Sequence, residues 1–515
     1  MSSHAHSHGH APRPRIFHQV ALALLATVTL LVQGYHPLAD DGGLCVASID
    51  LLLHPALFTH DRSFVAVPLS YSEMSPLLAW CARWLHVPLP WVLLASYAVS
   101  LWLLAIAGDA LVRACGFTRQ ASFAAAAMLC AACTVPVAGT SLMLMDPYVT
   151  ARSFSVPLSL LAIAFVVRSA RKQRSAIDLA KAVLLFVLAA FFHPLMAGYA
   201  LFVGAATLAV ESNHRKLWMT CLPLAALVLS AVIELHSPAE SAAYRDAVLS
   251  RYYWFLSQWR WYERIGLAAP AAILLWLRQV ATQRSEQRFV TRRILLEATL
   301  FAAAIAVLVA CLFAREHLAS AGVARLQPLR LFCYVYAVMI LLGTATLYEA
   351  THRSRSQRAL LCAAMVAVSF VFFCAQRNVY SSSAHVEWPG SAPRNPWSRA
   401  FVWIRGNTPP EALFALDARY VNASDEDAQT FRATALRSML PDFSKDGGVA
   451  AIAPQLVKAW HTGSTAQQNL NALSDTQRDE RLAPFAVDWI VLRSASSTGH
   501  PCPYDNGTVK VCHIR

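Results

Sequence analysis

Long apolar segments, each about as long as a bilayer is thick, alternate with short runs of arginine and lysine along this sequence. About 20 apolar residues in a helix are enough to cross the hydrocarbon core of a membrane. Hydrophobic residues make up 57% of the 515 residues and charged residues only 14%, which is too apolar for a soluble protein of this size. The sequence therefore predicts a polytopic α-helical membrane protein. The predicted spans are 16–34, 90–112, 121–138, 149–167, 179–210, 217–235, 259–277, 294–314, 329–348 and 359–375.

The segment 179–210 decides the topology, because it is too long for one ordinary crossing and short for two. Basic residues stand on both sides of it, and cytoplasmic loops are the ones rich in arginine and lysine. An even number of passes is therefore required. We predict a re-entrant pair of short helices broken at His193 and Pro194, since proline removes a backbone donor. The total becomes about eleven crossings, with the N-terminus in the cytoplasm and the C-terminus outside.

The net charge of +13 is explained by these cytoplasmic loops. A nucleic-acid-binding face would need contiguous basic residues in a soluble domain, so nucleic acid is not an expected partner. Residues 1–15, with several histidines, are predicted to form a disordered cytoplasmic arm. The transmembrane domain is predicted at 16–377 with a long first outer loop at 35–89, in which the amphipathic pieces 44–53 and 74–85 are expected at the interface.

Residues 378–515 are predicted to form a small extracytoplasmic α/β domain, because the composition becomes polar after the last span. Helices are expected at 396–405 and at 425–436, the second capped by Ser424, and strands at 412–416 and 487–492. Cys502 and Cys512 flank an Asn-Gly hairpin signal, which predicts a disulfide and hence an oxidising compartment outside the cytoplasm. Two unpaired thiols are the alternative.

Two acidic sites stand on the predicted outer face, each beside a helix end. Asp40 and Asp41 follow the first span and precede two glycines, which allow close backbone approach. Asp146 precedes a proline at the start of the fourth span, where it is expected to cap the helix, and Arg152 follows within two turns. The simplest alternative is that these acids are only caps and that Arg152 only reaches toward the interface.

A helix N-terminus and an arginine together favour a bound phosphate, because free N–H groups, the helix dipole and a forked cation all attract an anion. Nearby carboxylates would then deprotonate an acceptor or hold a divalent metal ion. Arg325 and Arg330 lie between two later spans and are further candidates for contact with phosphate, although a solvated loop with weak ion pairs is equally consistent with them. The outer loop 236–263 is rich in tyrosine and tryptophan, which is typical of a membrane-interface belt; stacking on a sugar or a lipid headgroup is the alternative.

In order of elements, the sequence resembles the GT-C superfamily of membrane glycosyltransferases. The shared features are a first helix with Asp40 and Asp41 at its outer end, amphipathic outer-loop helices, many spans and a terminal outer domain. The resemblance implies a polyprenyl-phosphate-linked sugar donor and a catalytic acid in the first outer loop, which falls on Asp40 or Asp41 and, more loosely, on Asp146. The predicted outer domain has no recognisable Trp-Trp-Asp-type acceptor motif, which argues against an oligosaccharyltransferase-like activity.

The favoured hypothesis is thus a glycosyltransferase of a bacterial inner membrane that transfers a sugar to an acceptor at the periplasmic face. The alternatives are a transporter or flippase of lipid-linked intermediates and a membrane assembly protein. A transporter usually shows internal repeats and broken helices. We find no repeat, and only the predicted break at His193 and Pro194 favours this alternative.

Overall fold

The computed structural model describes residues 13–171, 175–237, 241–283, 286–351, 354–423 and 425–514. Most of the predicted N-terminal arm and the predicted cap Ser424 lie outside these residues. The N-terminal helices are α1 Arg13–Gln33, α2 Asp40–Leu53, α3 Arg62–Val65, α4 Met74–Leu85, α5 Leu89–Ala114, α6 Arg119–Ala131, α7 Ala151–Arg171, α8 Ala176–Phe192, α9 Pro194–Glu211, α10 Arg215–His236, α11 Ala242–Leu249, α12 Trp261–Thr282, α13 Gln287–Phe313, α14 Gly322–Leu326, α15 Phe332–Thr351 and α16 Arg355–Val379.

Nine helical segments of the described chain are long and apolar enough to cross a membrane, which makes this a multi-pass membrane protein. The predicted count of about eleven is not confirmed. The expected span at 121–138 is only the 13-residue helix α6, because the helix ends at Ala131 and a proline follows at position 136. The second predicted crossing that is not among the nine segments is α8, because its 17 residues are slightly fewer than an ordinary span requires.

The long apolar segment is interrupted where α8 ends at Phe192 and α9 begins at Pro194. His193 between them has an extended backbone, with φ −146° and ψ 91°. Its Nδ1 accepts a hydrogen bond from the Met196 amide at 3.4 Å, so the histidine caps α9. His193 therefore has a structural task in addition to the break itself.

The first outer loop contains three helices with different environments. On α4, Trp80 and Trp84 stack on each other and are exposed, as expected for a helix at the membrane interface. By contrast, α2 carries buried Val46 and Ile49 and lies in the core. The expectation that 44–53 rests at the interface is wrong, because the C-terminal part of the chain covers this helix.

The C-terminal part contains α17 Pro396–Asn407, α18 Phe431–Ala435, α19 Lys445–Ile452, α20 Val457–Ala466 and α21 Asp475–Leu482, with strands β1 Leu413–Ala415, β2 Ser438–Met439, β3 Trp489–Arg493, β4 Tyr504–Asp505 and β5 Val509–His513. The strands form one sheet in the order β2-β1-β3-β5-β4. β1 is parallel to β2 and β3, and β5 is antiparallel to β3 and β4. This small α/β unit confirms the predicted fold class.

Two details of this unit bear on the sequence predictions. The disulfide between Cys502 and Cys512 is present and confirms that prediction. The helix expected at 425–436 is wrong except for α18, because Asp427 and Ala428 have positive φ values of 58° and 55°, which a helix does not allow.

Candidate active site

The segment that joins α1 to α2 is held from two sides. The amide of His36 donates to the carbonyl of Pro147 at 2.8 Å, which ties the segment to the approach of α7. On the other side, the hydroxyl of Thr430 donates to the carbonyl of Leu38 at 2.8 Å. The mouth of the first helix is therefore fixed between the second outer loop and the C-terminal part.

Asp40 and Asp41 occupy the first turn of α2, where the helix dipole favours carboxylates. They are not its N-cap, since that position is Ala39. Asp40 has φ 52°, a left-handed conformation that aspartate adopts more readily than most residues other than glycine. A Cβ atom at Gly43 would overlap the side chain of Thr430, so glycine is required for the acidic turn to lie under the C-terminal part.

The two acidic sites of the sequence meet at one arginine. Arg152 lies in the first turn of α7, and its Nη2 is 2.7 Å from Asp146 Oδ2 and 3.7 Å from Asp41 Oδ2. The prediction that Asp146 caps this helix is wrong, because α7 begins only at Ala151 and the carboxylate is bound to Arg152 instead. Burial raises the pKa of Asp146 above its ordinary value, while the charge of Arg152 opposes that shift.

The carboxylates differ in access to solvent. The side chain of Asp41 is 48% exposed and that of Asp146 only 8%. An exposed carboxylate can receive a proton from an incoming molecule, whereas a buried one with an arginine partner mainly orients that arginine. Asp41 is therefore open to solvent, whereas Asp146 is buried against Arg152.

Arg330 lies in the short helical turn just before α15, and it faces the same cluster. The charges of both Arg152 and Asp41 act on it. Its Nε is buried and has no hydrogen-bond partner within the described chain, nor does Arg330 form an ion pair there. A half-buried cation whose Nε lacks a partner loses part of its solvation unless an anion can reach it. Among the described residues, the charge of Arg330 is therefore left without an ion-pair partner.

Arg325 has a different environment, although the sequence groups it with Arg330. Like Arg330, it has a buried Nε without a hydrogen-bond partner in the described chain, but its guanidinium carbon is 5.6 Å from the centre of the Tyr244 ring, an arrangement that favours a cation–π contact. The charges of Arg152 and Asp41 act on Arg330. The structure therefore brings together Asp40, Asp41, Asp146, Arg152 and Arg330, and leaves Arg325 with an aromatic neighbour.

Lys445, which opens α19, is the site residue that the sequence did not reveal. Its Nζ forms an ion pair with Asp40 and lies 3.4 Å from Asp41 Oδ1. Burial lowers the pKa of the Lys445 ammonium to about 8, which still leaves it mostly charged at neutral pH. The lysine is separated from the acids by some 400 residues of sequence, and no motif marks it.

A buried network of ion pairs fixes α19 in the position from which Lys445 contacts Asp40 and Asp41. Arg432 binds Asp446 through two hydrogen bonds of 2.8 and 2.9 Å and also pairs with Asp61 of the first outer loop. From the outer aromatic loop, Arg251 donates to the carbonyl of Ser444 at 2.6 Å. Three separate parts of the chain thus converge on the start of α19.

The outer loop 236–263 divides into two groups of aromatic residues. Trp261 and Tyr262 are exposed, which fits the predicted interface belt. Trp254 and Phe255 are buried. Trp254 lines a small cavity that Arg330 also lines, so this half of the loop belongs to the walls of the site.

A divalent metal ion does not fit the described residues. No group of three or more histidine, cysteine, aspartate or glutamate side chains in the described ranges is arranged to hold one. The carboxylates of Asp40, Asp41 and Asp146 are instead paired with Lys445 and Arg152. The cations of the site are side chains of the protein.

A helical membrane bundle whose acidic first-loop turn is covered by a C-terminal α/β unit has the GT-C-like fold that the sequence predicted. Among solved structures, the chain is similar to the oligosaccharyltransferase AglB of the archaeon Archaeoglobus fulgidus, in complex with an inhibitory peptide and a dolichol-phosphate. The identity is 10%, the TM-score is 0.50, and the match covers 94% of this chain and 70% of AglB.

A further match is the arabinofuranosyltransferase AftD from Mycobacteria, at 14% identity and a TM-score of 0.48, over 98% of this chain and 40% of AftD. Neither a protein-family model nor a curated protein matches the sequence. At such low identity, the likeness to AglB shows the fold alone. What the site does has to be argued from its own residues.

Proposed function

We propose that the protein is an integral-membrane glycosyltransferase that transfers a sugar from a polyprenyl-phosphate donor to an acceptor at the periplasmic face of a bacterial inner membrane. One observation carries the proposal, namely the half-exposed carboxylate of Asp41 next to Arg152 and to the unpartnered Arg330. This places a proton acceptor and two cations around one point.

The proposed reaction uses these groups in separate roles. An acceptor hydroxyl attacks the anomeric carbon of the sugar and gives its proton to Asp41. The bond between that carbon and the phosphate oxygen breaks, and the electron pair leaves with the polyprenyl phosphate. Arg152 and Arg330 stabilise the negative charge that develops on the phosphate, as fixed cations in a site of low water content do effectively. Asp146 holds Arg152 in place.

The donor class is supported by two independent points. Arg152 lies in the first turn of the spanning helix α7, and Arg330 lies in the helical turn just before the spanning helix α15. The phosphate group of a membrane lipid would reach both positions. AglB, which shares the fold, has been seen with a dolichol-phosphate. We propose that the same kind of lipid phosphate is the partner here.

The acceptor would approach beside the acidic turn. A narrow cavity there is lined by Gly43 of α2 and by Lys445, Asp442 and Tyr420 of the C-terminal part, together with apolar side chains. Its volume of about 20 Å³ has room for about one water molecule. We infer that an acceptor hydroxyl reaches Asp41 from the solvent-exposed side of this carboxylate rather than through the cavity.

The proposal includes the topology and the domain division. The distribution of arginine and lysine supports an N-terminus in the cytoplasm and a C-terminus outside. The membrane domain is proposed at 16–377 and the extracytoplasmic domain at 378–515. This arrangement puts Asp41 on the outer face, where the disulfide between Cys502 and Cys512 is also stable.

The test is transfer from a defined donor. Purified protein in liposomes would be given polyprenyl phosphates that carry a radiolabelled pentose or hexose, with a membrane extract as the source of acceptor, and the released polyprenyl phosphate would be measured. We expect Asp41→Asn to lower the rate of release by at least about a hundredfold, since general base catalysis contributes that much. Glu480→Gln, an exposed acid of α21, is the matched control.

A full rate with Asp41→Asn would refute the assigned chemistry. Movement of intact donor across the liposome membrane without release of polyprenyl phosphate would instead indicate the flippase alternative.

A further inference from the structure

The acidic turn at the start of α2 is paired with a cationic side chain of the protein. The carboxylates of Asp40 and Asp41 project from one turn of α2, and Lys445 Nζ from the C-terminal part is in contact with both. Arg152 plays the same part between Asp41 and Asp146. Every one of the three carboxylates is therefore already bound to a cationic side chain.

We propose that Lys445 is a positioning residue which replaces a divalent metal ion at this site, so that the C-terminal part completes the active site of a metal-independent enzyme. This inference rests on the proposed function for its reaction, but the contacts that support it stand by themselves. Lys445 holds the two carboxylates around one ammonium group and offsets their mutual repulsion. It is not placed to react, because its ammonium is committed to both acids.

The position of Lys445 is enforced rather than accidental. Its own amide donates to Asp442 Oδ1 at 2.6 Å, and the neighbouring carbonyl of Ser444 accepts from Arg251. Asp446 is bound to the buried Arg432, which fixes the next residue of α19. A surface lysine that met the acids by chance would not need this support.

The ammonium and a divalent ion would exclude each other for electrostatic reasons. Both need the same carboxylate oxygens, and placing a second cation within contact distance of Lys445 and Arg152 would bring like charges together. Hard divalent ions also require several oxygen ligands, and the described residues do not present such a set. Replacement of the lysine by a carboxylate should therefore open a weak metal site at these oxygens.

The experiment measures Mn²⁺ binding and sugar transfer separately. Purified full-length protein in detergent would be titrated with Mn²⁺ and the free ion followed by electron paramagnetic resonance. We expect no binding by the wild type, about one ion per protein for Lys445→Glu, and loss of that ion when Asp41→Asn is added to Lys445→Glu. Transfer by the wild type should change less than about twofold with a chelator.

The variants without a metal site test the positioning role. Lys445→Met should lower the turnover number at saturating donor by at least about tenfold and leave the KM for donor nearly unchanged, because the lysine acts on the acid and not on the phosphate. Lys445→Arg should retain most of the activity, since it restores the charge. Thermal unfolding of each variant would show whether the fold is intact.

Binding of Mn²⁺ by the wild type that disappears with Asp41→Asn would overturn the inference, as would loss of transfer on chelation or full activity of folded Lys445→Met. The metal titration needs no substrate, so its outcome is independent of the proposed function. Conversely, full transfer by Asp41→Asn would remove the proposed function whatever the Mn²⁺ titration shows.

Discussion

Replacement of Arg432 by methionine tests how the C-terminal part is locked onto the first outer loop. The side chains of Arg432, Asp61 and Asp446 are 6%, 4% and 1% exposed, so the three charges are almost completely removed from water. Methionine fills much of the same volume but leaves both carboxylates buried without a counter-ion. Breaking a buried ion pair in this way costs about 3–5 kcal/mol.

This loss of unfolding free energy corresponds to a lower melting temperature. For a unit of roughly 150 residues, 1 kcal/mol corresponds to a shift of about 4 °C, so a decrease of roughly 10–20 °C is expected. The assay is thermal unfolding in detergent followed by tryptophan fluorescence, because Trp397 and Trp460 are buried reporters within the C-terminal part. Arg394→Met, at an exposed arginine, is the matched control and should shift the melting temperature by no more than about 2 °C.

A second substitution separates the charge effect from lost packing. If the unpaired carboxylates cause the loss, addition of Asp61→Asn to Arg432→Met should restore part of the stability, because one buried charge disappears. The reasoning would be refuted by a shift for Arg432→Met as small as that of the control. It would also be refuted by a double variant with a lower melting temperature than Arg432→Met alone.

Three further predictions concern the site and its support. Burial raises the pKa of Asp442 to about 7, so protonation of this carboxyl stabilises the fold fully below about pH 4, and this stabilisation is lost as the pH rises to 7. In urea unfolding, the free energy of unfolding should fall between pH 4 and pH 7, and Asp442→Asn should remove most of this pH dependence. Serine at Cys502 and Cys512 should lower the free energy of unfolding by about 3 kcal/mol, measured by urea unfolding with and without reductant. Arg330→Gln should weaken binding of undecaprenyl phosphate by about 10–100-fold in a detergent titration, whereas Arg325→Gln should leave it unchanged; equal effects of the two would contradict the assignment.

The parts of the fold that the sequence predicts correctly are those set by local chemistry. Apolar length predicts most of the spans but not the short helix α6, proline predicts the end of α8, and the Asn-Gly turn predicts the hairpin and disulfide of the C-terminal part. The placement of Asp40 and Asp41 beside paired glycines likewise indicates a tightly packed acidic turn, and the structure shows why Gly43 is needed there.

The parts that the sequence does not reveal depend on contacts between distant segments. Lys445 reaches Asp41 only because Arg432 and Arg251 fix the start of α19, and none of these residues lies in a motif. The helix expected at 425–436 fails for a similar reason. The carbonyl of Ala428 is used to bind the amide of Asp40, which holds that stretch in a turn.

The transfer assay with Asp41→Asn is the most direct test of the whole account. With a polyprenyl-phosphate-sugar donor in liposomes, the wild type and Glu480→Gln should release polyprenyl phosphate at equal rates, and Asp41→Asn should be slower by at least about a hundredfold. Equal rates for all three proteins would contradict the claim that this carboxylate, held between Arg152 and Lys445, is the acid at which the sugar is transferred.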